Sequence, residues 1–231
     1  VFEGGRVIIG DGKVIDNASV VVTGDRNTQV GPAASVKAAA GAARVSLAGK
    51  TVMPAIVDTH VHTSTTGPEL ETDLRQRAQF GVGAALSMGL DGTDAAFTQR
   101  ARTMPGLARI FTAGRGITAP EKGRTEVPYW LTTPEEGRKA VEENAAKKVD
   151  INKIWVDDRD GKFPKLTPPL YSAVIDEAHK QKLRVTAHIF SLEDAKGLLK
   201  AGMDSFAHGI RDGDMDDEAV ALLKERPAFV L

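Results

Sequence analysis

Apolar and polar positions change their rhythm near residue 51. From there, short apolar runs of strand length alternate with longer polar or amphipathic stretches of helix length. The apolar runs cover 51–58, 81–88, 108–113, 151–156, 183–189, 205–208 and 228–231. The stretches between them predict helices over 69–80, 94–104, 133–148, 167–181, 191–201 and 216–225. Their ends carry helix signals. Pro68 stands near a helix start, Thr133-Pro134 and Thr167-Pro168 place an N-cap before proline, Ser191–Asp194 is similar to a capping box, and Gly202 follows the last turn. A Gly- and Pro-bearing loop is expected over 114–131.

The first fifty residues read differently. Short strands are expected at 6–9 and 13–15 around the turn Gly10-Asp11-Gly12, then at 18–23, 28–30 and 44–47. The Ala-rich stretch 33–43 is ambiguous between a loop and a weak helix. This β-rich unit has little apolar surface to bury alone.

Repeated β-α units with buried strands predict an α/β chain with a parallel sheet, and closure would make a (β/α)8 TIM-type barrel. No G-x-G-x-x-G follows a strand, which weighs against a doubly wound sheet. About seven barrel strands are present, so the barrel is expected to be incomplete and the C-terminal part to lie beyond the sequence. The expected domains are 1–51 and 52–231.

Composition narrows the function. A net charge of -1 over 231 residues gives no reason to expect nucleic acid or an acidic membrane surface as partner. With no Cys, disulfides and thiolate metal sites are excluded. No apolar run reaches the roughly 18 residues of a membrane span. The compartment stays open: cytoplasmic is the default, and periplasmic or secreted would follow if a signal peptide had been removed.

Of five histidines, four close predicted strands: His60, His62, His188 and His208. Positions i and i+2 of a strand share a face, so His60 and His62 aim two imidazoles into one space, as a metal ion requires. Chance placement at a strand end is the alternative. His188 and His208 end neighbouring strands on the face where barrels of this type carry their chemistry. His179, near a helix end beside Lys180 and Lys182, reads as a surface residue. Lys153 lies inside Ile151–Val156, a strand buried on both faces. Either its head snorkels to water, or CO2 converts the amine to a carbamate, an anionic oxygen ligand able to bridge two metals.

Pro54-Ala-Ile-Val-Asp-Thr-His-Val-His62, with Lys153, His188 and His208 in order and spacing, resembles the amidohydrolase superfamily of metal-dependent hydrolases, with Ala55 where the family usually has Gly. Lys153-Ile-Trp and Thr186-Ala-His188 are most similar to the branch of prolidases and imidazolonepropionase-related enzymes. The resemblance implies that residues 1–51 are part of a small β-sandwich. It implies that His60 and His62 hold one metal, His188 and His208 a second, and a carboxylated Lys153 bridges them. Two divalent ions, with Zn2+ expected, would carry a bridging hydroxide that attacks an amide, peptide or cyclic amide carbonyl in a small-molecule substrate. The family's general-base Asp would lie beyond Leu231, so no catalytic base is assigned, and this stretch alone is a candidate for inactivity. Asp212, Asp214, Asp216 and Asp217 come too early and read as a solvated loop and helix start. Arg115, Arg124, Tyr129 and Trp130 in the long loop, and Asp158 after the fourth barrel strand, are candidate substrate contacts. Asp157 and Asp158 read equally well as turn residues. A homo-oligomer is compatible with all of this. The competing readings are a single-metal deaminase of the same superfamily, against which Lys153 weighs, and a non-catalytic barrel scaffold.

Overall fold

The computed structural model describes all 231 residues, which form two compact units, Val1–Ala55 and Ile56–Leu231.

The first unit is one five-stranded sheet. Strands β1 (Phe2–Ile8), β2 (Val14–Thr23) and β3 (Arg26–Pro32) form an antiparallel meander, and β4 (Val45–Ser46) and β5 (Thr51–Val52) pair with β1 in parallel. Two expected strands, 13–15 and 18–23, are one. The chain passes through Asn17 at φ 47 without leaving the sheet; Asn tolerates that region better than most residues. The Ala-rich stretch forms turns and no helix. A small cluster of Val7, Ala18 and Val20, with Ile15 and Val52 against it, is the only apolar core here. Much of the sheet's remaining valine surface is exposed.

The second unit alternates strand and helix as the apolar pattern requires. Its elements are β6 (Ile56–Val61), α1 (Gly67–Gln79), β7 (Val82–Ser87), α2 (Ala95–Arg100), β8 (Arg109–Thr112), β9 (Ile117–Thr118), β10 (Tyr129–Trp130), α3 (Pro134–Ala146), β11 (Asn152–Val156), α4 (Pro168–Lys180), β12 (Val185–Ile189), α5 (Leu192–Lys200), β13 (Ser205–Phe206), α6 (Asp217–Glu225) and β14 (Phe229–Val230). The helix starts obey local chemistry. Thr133 and Glu136 close a capping box on α3, Ser191 accepts from the Asp194 amide on α5, and Asp216 accepts from the Ala219 amide on α6. Thr66 and Thr167 stand at the N-cap positions of α1 and α4 without a side-chain cap bond, and proline opens both helices instead.

Three expectations need correction. The strand expected over 51–58 is two strands, because Met53–Ala55 break it; Pro54 has no amide hydrogen to give a ladder. The loop expected over 114–131 contains β9 and β10, which pair in parallel with each other, and β9 pairs with β11. The parallel strands form two ladders, β6-β7-β8 and β10-β9-β11-β12-β13-β14, instead of one continuous sheet. Beside β8, a side chain takes over part of the ladder. The Asp150 carboxylate accepts the Thr112 amide at 2.8 Å, while the Asp150 amide donates to the Thr112 carbonyl at 2.9 Å.

All five residues of β11 and of β12 are buried, as expected for parallel strands covered on both faces. Ile154, Val156, Val185, Ala187 and Ile189 pack with Val174, Ile175 and Leu198 in the main core. The alternate residues are Lys153, Trp155, Thr186 and His188, and strand register sets Lys153 beside Thr186 and Trp155 beside His188. By the alternation of strand side chains, these four share the face opposite the helices.

Candidate metal centre

Four imidazoles gather where β6, β12 and β13 end. The ring centroids of His60 and His62 lie 5.4 Å apart, those of His60 and His208 4.7 Å, and those of His188 and His208 4.7 Å. His60 is in β6, His62 one residue past it, His188 in β12 and His208 two residues past β13. Nδ1 of His60 lies 3.3 Å from the Ala207 carbonyl, a contact that makes Nδ1 the donor and leaves Nε2 the lone pair. Burial is the main cause that holds His60, His62 and His188 at pKa values of about 4. Nearby Lys153 adds to it for His60, nearby His60 for His62, and a bond to Asp157 opposes it for His188. His208 is lowered for the same first reason. At neutral pH these are uncharged imidazoles with lone pairs to give.

Lys153 is fully buried, and its amine has no hydrogen-bond partner. The nearest aromatic face is Trp155, with Nζ 5.6 Å from the ring centre. Burial, then the charge of Arg159, pushes its pKa down to about 7. A buried amine without a partner is costly, so a large share of this one is in the neutral, nucleophilic form at pH 7. The Trp155 ring forms the neighbouring wall, and two glycines make room for it. A Cβ on Gly116 would lie 1.9 Å from the Trp155 ring, and one on Gly89 2.6 Å.

In kind, this donor set fits divalent metal ions: four neutral imidazoles and one amine that needs a new partner. In arrangement, no three His, Asp or Glu side chains converge as they stand on one metal position. One of these imidazoles, His188, is already engaged. Its Nε2 lies 2.8 Å from Oδ2 of Asp157 and 3.0 Å from Nη1 of Arg159.

The residues named as candidate substrate contacts are spread over several places. Arg115 donates to the carbonyls of Val127 and Pro128 and stacks on Tyr129, so it braces the loop. Tyr129 and Trp130 line a shallow pocket against Glu136, Lys139 and Glu143 of α3. Asp158 is partly exposed and accepts the Gly161 amide in a turn. A cavity of about 250 Å3 adjoins His62 and is lined by Thr118, Glu121, Arg124, Pro128 and Trp155. Of the four loop residues named from sequence, Arg124 alone reaches it. Glu121 was not visible as a candidate. It is 1 % exposed, is bonded to Arg124 at 2.6 Å, and has one carboxylate oxygen without a hydrogen bond. One acidic residue in a Gly- and Pro-bearing loop carries no sequence signal of burial. Asp157 and Arg159 form an ion pair, which the reading of 157–158 as turn residues did not reveal. Asp212 and Asp216 hold local structure, Asp212 on the Leu192 amide and Asp216 on Lys196 and the start of α6. His179 pairs with Asp204 at 3.0 Å on the surface, as expected.

No protein-family model matches the chain. An uncharacterised protein of Mycobacterium tuberculosis is 31 % identical over 186 residues, which is 77 % of this chain and 49 % of that protein. An imidazolonepropionase of Micrococcus luteus is 33 % identical over 132 residues, 56 % of this chain and 31 % of that enzyme. Among solved structures, a candidate prolidase of Bifidobacterium longum superposes with a TM-score of 0.86 at 27 % identity, covering 98 % of this chain and 57 % of its own. The chain thus spans about half the length, or less, of these curated relatives.

Proposed function

We propose that this chain, which belongs to the amidohydrolase superfamily, supplies the metal cradle and part of the substrate cavity of a hydrolase acting on carbon–nitrogen bonds. One observation carries the reading: four uncharged imidazoles gather where parallel strands end, and the fully buried, unpartnered Lys153 amine lies near the start of β11 on the same face as His188. His60 and His62 are assigned to one divalent ion and His188 and His208 to another, with Zn2+ the expected metal. When bound, such ions polarise a carbonyl and activate water for its attack.

Each residue has a role of its own. His60 is oriented by the Ala207 carbonyl, which leaves the lone pair on its other nitrogen for a metal. In its neutral form Lys153 can attack CO2: the nitrogen lone pair forms the C–N bond as one C=O π pair moves onto oxygen, the nitrogen releases a proton to water, and an anionic carbamate results. That product replaces a buried amine with an oxygen ligand able to bridge two cations. Trp155 and Pro128 give the cavity apolar walls, and Glu121 and Arg124 its charges. A small amide, dipeptide or cyclic amide suits that volume. No residue of 1–231 is assigned the general base. The sheet of 1–55 is assigned to part of a small sandwich, and the strands of 56–231 to part of a (β/α)8 barrel.

Metal analysis tests the reading. The chain, loaded with Zn2+ in bicarbonate and freed of excess metal, is expected to keep two equivalents. Without bicarbonate it is expected to keep fewer. One equivalent regardless of bicarbonate overturns the bridging role of Lys153, and none overturns the cradle.

A further inference from the structure

The loop after β11 turns back on the cradle. Arg159 and Asp160 both have positive φ, 57 and 59, followed by Gly161 at 73. Two consecutive non-glycine residues in the left-handed region are strained, and such strain persists only where surrounding contacts hold it. The contacts here are specific. The Arg159 amide donates to Oδ1 of Asp157 at 2.8 Å. Its guanidinium is ion-paired with Oδ2 of Asp157, lies 3.6 Å through Nε from buried Glu121, and meets Nε2 of His188 at 3.0 Å. The Arg159 side chain is 18 % exposed.

Nε2 of His188 is a single atom with either a proton or a lone pair. If it carries the proton, it donates to Asp157 at 2.8 Å. If it carries the lone pair, it accepts from Arg159, because a guanidinium only donates. In both tautomers the lone pair that a cation would need is taken. The guanidinium also brings a permanent positive charge to the place a divalent cation would enter.

We propose that Arg159 is a gate on this metal cradle: its guanidinium and a divalent cation compete for Nε2 of His188. The gate rests on the reading of His188 as a metal ligand. Opening it withdraws Arg159 from His188 and Asp157 and lets the strained loop relax. Glu121 stays paired, since Arg124 holds its other oxygen at 2.6 Å. Withdrawal leaves the Asp157 carboxylate without its cation, beside His188, where a metal would neutralise it. The loop is thus a two-state element biased one way by its ion pairs and the other way by metal.

Calorimetric titration with Zn2+ alone tests the gate, on the 231-residue chain in chelator-treated buffer. Arg159→Gln is expected to bind Zn2+ about tenfold or more tightly than the unaltered chain, the scale of one charge-assisted hydrogen bond. The gain is expected to vanish when Arg159→Gln is combined with His188→Ala. Arg159→Lys provides the same comparison if Arg159→Gln fails to fold by circular dichroism, since an ammonium cannot bridge the same three partners. Equal or weaker Zn2+ binding by the folded variant overturns the gate and leaves the cradle standing. A gain that survives His188→Ala overturns the competition at His188. Absence of Zn2+ binding in every protein overturns the cradle reading, and the gate with it.

Discussion

Replacing Lys153 by Met should stabilise the metal-free chain at neutral pH. Met has nearly the same length, carries no charge and needs no hydrogen bond. The folded state holds the amine at a pKa of about 7 against 10.5 when it is unhindered. Each tenfold change in proton affinity is about 1.4 kcal/mol, so at pH 7 burial of this one group costs about 4 kcal/mol. The sign follows from proton counting. Between pH 7 and 10.5 the unfolded chain holds more protons on this lysine than the folded chain does, so stability rises with pH through that window. By pH 10.5 the same relation leaves almost none of that cost. The assay is urea denaturation from pH 7 to 10.5 in CO2-free, chelator-treated buffer. Tryptophan fluorescence is the probe, because both tryptophans, Trp130 and Trp155, lie in the unit 56–231. Lys153→Met should exceed the unaltered chain by about 2–4 kcal/mol at pH 7, with a gap that shrinks steadily toward pH 10.5. A variant less stable at pH 7, or a gap that ignores pH, would refute the claim that the amine is buried without a partner.

Two further expectations concern the same pocket. Gly116→Ala places a methyl 1.9 Å from the Trp155 ring, so the ring must move, at a cost of about 1–3 kcal/mol; an unchanged melting temperature and emission spectrum would contradict the packing described. Zn2+ binding without bicarbonate should hold from pH 8 to about pH 5 and fall below it, because His60, His62 and His188 protonate only near pH 4. Half-loss near pH 6.5 would mean that these imidazoles are solvated.

The β/α rhythm and the gathering of the four histidines were legible for one reason: each was written in local periodicity. His60, His62, Lys153 and His188 lie on or beside strands whose apolar runs fix where they end. What the sequence hid was non-local. The pairing of β9 with β10 depends on residues twelve positions apart meeting in register, and no pattern in 114–131 announces it. Arg115 looked available for substrate but spends its donors on main-chain carbonyls. Glu121 and Arg159 carried no sequence signal, because charged residues in loops are usually solvated. Their burial comes from one another and from Asp157, a partnership that exists only after folding.

Asp150 gives the second unit a seam. Its carboxylate takes the Thr112 amide beside β8 and also pairs with Arg100 at 2.8 Å, so a titratable side chain occupies a place where parallel sheets ordinarily use main chain. Main-chain ladders spread cooperativity over many residues. Here part of the mechanical continuity between the strands bearing His60 and those bearing Lys153 and His188 passes through one carboxylate.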